Sequence, residues 1–119
     1  MPSVTFDHVR KQFGDVTIVD ITGNLVANSS GDVALKDKVR SLIQQGRKRI
    51  VIDLGNVPYM DSSGLGELVH VYATTKNAGG SLKLLRLTRR LKDLLTITKL
   101  LTVFETYESE PDAIKSFST

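Results

Sequence analysis

At 119 residues the chain suits one domain, and it carries a formal charge of +3 with no cysteine. The absence of cysteine excludes disulfides, thiol catalysis and cysteine-ligated metal sites. A hydrophobic fraction of 40% beside a charged fraction of 24% argues against disorder, and a chain of this size buries roughly 65% of its unfolded surface in one core.

Met1 to Arg10 holds no apolar stretch behind a basic start, and no window reaches the roughly 18 apolar residues that span a bilayer. A cytoplasmic location without membrane insertion is therefore expected. Basic residues gather at Arg47-Lys48-Arg49 and between Arg86 and Lys92, but acids are spread between them and there is no Trp. That distribution reads as a solvated face rather than a nucleic-acid site.

In chain order, Val4 to Val9 reads as a first strand, with Gly14-Asp15 as a hairpin turn. In the second strand Val16, Ile18 and Asp20 fall on one side and Thr17, Val19 and Ile21 on the other. The polar stretch Asn28 to Asp32 announces a helix on Leu35, Val39, Leu42 and Ile43, stopped by Gly46. Ile50 to Leu54 is an apolar, β-branched run typical of a strand buried on both faces. A second helix carries Leu65, Leu68, Val69, Tyr72 and Ala73 on one stripe and closes at Gly79-Gly80. Ser81 to Leu87 is the next strand, and Arg89 to Thr98 a third helix on Leu91, Leu94 and Leu95. Val103 to Tyr107 is the last strand. A final helix, Glu110 to Phe117, has Pro111 in its first turn and Ala113, Ile114 and Phe117 inward. The order β-β-α-β-α-β-α-β-α defines an α/β fold with about four helices. An opening β-hairpin supplies the antiparallel edge of a mostly parallel, mixed sheet.

Little in the sequence supports catalysis. His8 and His70 have no carboxylate or second histidine at ligand spacing, and no Gly-rich loop ends in Lys-Ser or Lys-Thr. Asp53 lies near the end of a buried strand, where open α/β sheets bind ligands. A receiver-type phospho-acceptor would want further acids after an earlier strand, yet that region reads Ile21-Thr22-Gly23-Asn24-Leu25. No metal and no cofactor is expected, and the chain is read as a non-enzyme.

The informative segment is Val57 to Gly66, between the buried strand and the second helix. Asp61, Ser62 and Ser63 crowd a helix start, where free N–H groups and the dipole favour acceptors and negative charge. One capping side chain contributes about 1 kcal/mol and would suffice. Gly64 and Gly66 each cost about 1 kcal/mol relative to Ala inside a helix, and small residues there let another backbone approach closely. The residues alone fit a cap and a functional helix start alike.

The stretch VIDLGNVPYMDSSGLG, ending at Gly66, resembles the signature of STAS domains, specifically the bacterial anti-sigma factor antagonists. The resemblance extends to the element order over nearly the whole chain, implying a single STAS domain over residues 1–119. It implies that Ser63 is phosphorylated by a partner that is both serine kinase and anti-sigma factor. The unphosphorylated form binds that partner and the phosphorylated form lets go, with a separate phosphoserine phosphatase resetting the switch. Met60, Asp61, Ser62, Ser63, Gly64, Leu65 and Asn24 are the implied partner-binding residues. ATP and Mg²⁺ would belong to the kinase. The reading leaves a homodimer open.

The chain departs from the family pattern at one place. After the second strand these antagonists often read Gly-Glu-Leu-Asp, whereas this chain reads Gly23-Asn24-Leu25-Val26. The two missing acids motivate an alternative: a STAS interaction subunit, never phosphorylated, of a larger signalling or transport assembly. A small-molecule or nucleotide binder at the same strand ends is disfavoured, because no phosphate-binding sequence accompanies the fold.

Overall fold

The computed structural model describes residues 5–13, 16–22 and 34–118. Five strands form one sheet in the order β1-β2-β3-β4-β5. Strands β1 (Thr5–Phe13) and β2 (Val16–Thr22) are antiparallel, with Phe13 opposite Val16 and two bulges in the register. The Gly14-Asp15 turn assigned to this hairpin lies outside the described residues. Strands β3 (Arg49–Asn56), β4 (Ser81–Leu85) and β5 (Thr106–Tyr107) follow in parallel, as expected from the alternation of strands and helices.

Period-two alternation sorts the core onto two faces. Val19, Ile21, Ile50, Ile52, Leu54, Leu82 and Leu84 pack against helices α1 (Ala34–Gln44), α2 (Ser62–Asn77) and α3 (Arg89–Ile97). On the other face Val16, Ile18, Val51 and Leu85 pack under Ala113 of α4 (Glu110–Lys115), with Ile114 and Phe117 beside it. Burying a side chain such as Leu68 contributes roughly 1.5–3 kcal/mol relative to leaving it in water.

Several elements differ from their sequence-based expectations. Strand β1 runs to Phe13, and β4 stops at Leu85 because Arg86 adopts a left-handed conformation, φ 57°. Strand β5 is two residues long: Leu101 to Phe104 form turns, which bury Phe104 edge-on against Tyr72 with 5.1 Å between ring centroids. The last helix is α-helical to Lys115 and continues as a 3₁₀ turn, Ser116–Ser118. On α2 the buried stripe is Gly64, Leu65, Leu68, Val71 and Thr75. Ala73, expected inside, is exposed, and Val69 and Tyr72 are half-buried. Thr75 goes inside because its hydroxyl donates to the Val71 carbonyl at 2.8 Å, hiding its polarity within the helix.

The helix ends follow local chemistry. After α2, Gly79 takes φ 86°, and a Cβ on Gly80 would collide with the Lys48 carbonyl oxygen. Only glycine at position 80 lets the chain enter β4 so close to the start of β3, where the Ser81 amide donates to that same carbonyl at 2.8 Å.

Candidate functional site

The site grows from the end of β3. This strand is buried from Ile50 to Leu54 and ends at Gly55 and Asn56, which are exposed, with Asn56 still opposite Thr22 of β2. The Val57 amide donates to the Leu54 carbonyl at 3.0 Å, which turns the chain and sends the Val57 side chain back into the core. Met60 is the second anchor, only 5% exposed. Pro58 and Tyr59 arch over the surface between these two apolar posts.

Asp61 then opens α2. It is the N-cap, extended at φ −100° and ψ −174°, and its Oδ1 accepts from the Gly64 amide at 3.0 Å. The capping task expected of the Asp61-Ser62-Ser63 run thus falls to Asp61. Ser62 and Ser63 are the first two helical residues, both exposed, and their hydroxyls make no hydrogen bond among the described residues. Consecutive helical residues turn by about 100° around the axis, so the two hydroxyls leave the helix in different directions.

The other implied partner-binding residues divide by burial. Met60, Gly64 and Leu65 are buried, and both apolar side chains belong to the main core. Asp61 is half-buried. Asn24, and Val26 with it, lie outside the described residues. Gly66 is exposed, and a Cβ there would meet nothing within 4 Å. Nothing among the described residues therefore asks for glycine at that position.

Asp53 does not present a free carboxylate. It is buried, its Oδ1 accepts from the Gly55 amide at 3.0 Å, and the Arg86 guanidinium pairs with both of its oxygens. His70 is exposed on α2, and among the described residues no group of three or more His, Cys, Asp or Glu is placed to hold a metal ion. No described helix is long and apolar enough to cross a membrane.

Two features were not singled out from the sequence. One is Lys83, buried on the second face of the sheet, whose Nζ donates to Ser116 Oγ at 2.8 Å and pairs with Glu105 at 3.2 Å. The other is an open depression of about 510 Å³ between the β3–α2 loop and α3. Tyr59, Met60, Asp61 and Ser62 line one side of it, and Arg90, Leu94 and Ile97 the other. Its signal in the sequence was Ile97, a large apolar residue that the buried stripe of α3 does not need.

A five-stranded mixed sheet with an opening hairpin, and a capped helix that presents a serine with no hydrogen bond among the described residues, place the chain in the α/β class. The chain belongs to the STAS domain family, whose model matches residues 8–113. It is 39% identical over 92 residues to the anti-sigma-B factor antagonist of Bacillus subtilis, covering 77% of this chain and 81% of that protein. An anti-sigma factor antagonist from Mycobacterium paratuberculosis has the same fold, with a TM-score of 0.81 at 20% identity over 98% of this chain and 96% of that one. So does the Bacillus cell fate determinant SpoIIAA in its phosphorylated form, with a TM-score of 0.72 at 19% identity over 95% and 99% of the two chains.

Proposed function

We propose that this chain is an anti-sigma factor antagonist controlled by phosphorylation of Ser63, acting in the cytoplasm as one STAS unit. In its unphosphorylated form it binds an anti-sigma factor that is also its serine kinase. Phosphorylation of Ser63 releases the partner, and a phosphoserine phosphatase restores binding. The chain itself is a regulatory module, and ATP and Mg²⁺ belong to the kinase.

The observation that carries this reading is the state of Ser63: exposed, without a hydrogen bond among the described residues, and relieved of capping by Asp61. Among the described residues its hydroxyl has no partner, so modifying it breaks no contact of the described fold. A phosphoserine adds roughly −1.5 to −2 charges, which a helix N-terminus tolerates. Gly66 supports the same reading from another side. It stands three residues past Ser63, one helical turn on, so the exposed surface there is flat enough for a second backbone to approach. A bulky anion placed on that surface, beside Asp61, opposes such an approach. A loss of roughly 2.8 kcal/mol already weakens binding a hundredfold.

The test is the intact mass of the protein purified from its own cells, before and after phosphatase, with peptide mapping. We expect a phosphatase-sensitive mass on Ser63 that Ser63→Ala lacks. A protein that stays unmodified through growth and stress would replace the switch with the constitutive-subunit reading suggested by Asn24 and Val26.

A further inference from the structure

Strand β4 pairs with β3 along its whole length but with β5 only at its end, and a small cavity lies at the edge left open. Leu84 and Leu85 face Thr106 and Tyr107, and no residue of β5 stands opposite Ser81, Leu82 or Lys83. The cavity, about 90 Å³, is lined by those three residues, by Tyr72 and Lys76 of α2, and by Glu105. At roughly 30 Å³ of liquid volume per molecule it has room for about three waters, or for one solute of a few heavy atoms.

The open edge presents a backbone pair to this space. The Ser81 amide donates toward β3, to the Lys48 carbonyl at 2.8 Å. The Leu84 and Arg86 amides donate the other way, to the Glu105 and Tyr107 carbonyls at 2.9 and 2.8 Å. Successive residues of a strand aim their N–H and C=O groups at alternate edges, so Leu82 aims both of its own toward the cavity. Leu82 is 3% exposed, and neither group meets a partner among the described residues. A buried amide and carbonyl in that position are met by water or by a ligand.

The walls carry opposite charges that are not spent on one another. Lys76 Nζ lies 5.7 Å from the centroid of the Tyr72 ring and makes no ion pair among the described residues. On Glu105, Lys83 Nζ at 3.2 Å and the Tyr107 hydroxyl at 2.9 Å both fall on Oε1. That leaves Oε2 without a partner among the described residues. A solute that answers all four groups needs a carboxylate for Lys76 and the Leu82 amide, and an ammonium for Glu105 Oε2 and the Leu82 carbonyl. An α-amino acid carries those two groups on one carbon, and the volume restricts its side chain to that of glycine or alanine. A bare anion would leave Oε2 and the Leu82 carbonyl unanswered, and a bare cation would leave Lys76 and the Leu82 amide.

We propose that this cavity binds a small α-amino acid, glycine or L-alanine, along the open edge of β4, with Lys76 holding its carboxylate and Glu105 its ammonium. The bound molecule completes the edge that the short β5 leaves unpaired, and it ties the end of α2 to β4. The proposal does not rest on the functional reading above, since Ser63 stands at the start of α2 and Lys76 in its last turn.

The experiment titrates the isotope-labelled full chain with glycine and with L-alanine, and follows the Leu82 amide by two-dimensional NMR. Either amino acid should shift that resonance saturably, with a Kd of about 1 mM or tighter. Acetate and methylammonium, each offering half of the ligand, should bind at least about tenfold more weakly, because each forfeits a charge-assisted hydrogen bond. L-Alanine should weaken by the same factor, about tenfold or more, on Lys76→Met and on Glu105→Gln. Both substitutions fall at exposed positions and are checked for folding by circular dichroism. Ser63→Ala should bind L-alanine as the parent does. The absence of a saturable shift up to about 10 mM, tenfold above that Kd, would leave water alone in the cavity and overturn the proposal. Acetate binding as tightly as L-alanine would make this a plain anion site and overturn it, as would parent-like binding by both variants. A short peptide ending in alanine that binds more tightly than alanine itself would assign the edge to an added strand and overturn the single amino acid.

Discussion

Asp61 and Ser63 stand two residues apart at one helix start, yet their hydrogen bonding is opposite. Asp61 is engaged with the Gly64 amide, and the Ser63 hydroxyl is not engaged with any described residue. Stability and switching are thereby placed on different side chains, and substitution can separate them. Asp61→Ala should lower stability by about 1 kcal/mol, the usual cost of losing a cap, while Asp61→Asn keeps a capping oxygen and loses only the favourable charge at the helix start, about 0.3–1 kcal/mol. Urea unfolding of the two variants beside Ser63→Ala checks the order: Ser63→Ala should match the parent within about 0.5 kcal/mol. The sequence announced a capping run here but not which member caps, because Asp and Ser are equally good at that task. What distinguishes them is backbone conformation, with Asp61 extended and the two serines already helical.

Among the elements, the end of β4 is the most instructive departure. Leu85 and Leu87 continue the alternation, so sequence periodicity carries the strand through Arg86. The chain instead turns left-handed at Arg86, and that turn lets the guanidinium fold back onto the Asp53 carboxylate near the end of β3. A long-range ion pair has thus overridden a local pattern, which periodicity cannot register. Arg86→Ala should be destabilising, since it removes the guanidinium that pairs with both oxygens of the buried Asp53 carboxylate and keeps a side chain at positive φ. Arg86→Gly loses the same ion pair but relieves the backbone, so it should be more stable than Arg86→Ala by about 1 kcal/mol. Chemical denaturation of the pair measures that difference directly, and equal stabilities would mean that the left-handed turn carries no strain. The shift of the α2 stripe toward Val71 and Thr75 has a similar origin. Thr75 counts as polar in a periodicity reading, although its hydroxyl is satisfied within the helix.

Across the whole molecule, the two-faced core was legible in strands as short as Val16 to Ile21, because alternation alone sorts Val16 and Ile18 from Val19 and Ile21. What closes the second face was not. A lysine inside a leucine strand reads as a solvent-facing residue, and nothing local says that Phe117 will cover it. Lys83 Nζ lies 4.3 Å from the Phe117 ring centroid and bonds Ser116 Oγ, so the C-terminal turn is clasped over it, with Glu105 at its open side. The Tyr107 hydroxyl, which donates to Glu105 Oε1 at 2.9 Å, and Lys83 after it hold the Glu105 carboxyl below its ordinary value of 4.5. A carboxyl whose folded pKa is depressed adds stability at pH above its unfolded value, and that stability is lost as pH falls through the folded value. The loss should be small, because the Glu105 side chain is 63% exposed and solvent screens the pair. Replacing Lys83 by Met tests how the clasp divides between charge and packing. Met keeps the contact with the Phe117 ring and removes the cost of burying an ammonium, while Ser116 Oγ keeps its bond to the Ala113 carbonyl. Lys83→Met should therefore stay within about 1 kcal/mol of the parent at neutral pH, and its stability should fall less steeply as pH drops through and below 4.5, the ordinary value of the Glu105 carboxyl. Urea titrations across that range decide the matter. A loss of about 3 kcal/mol or more at neutral pH would place the clasp in the ion pair, and a packed aromatic lid would then be the wrong account of what holds α4 to the sheet.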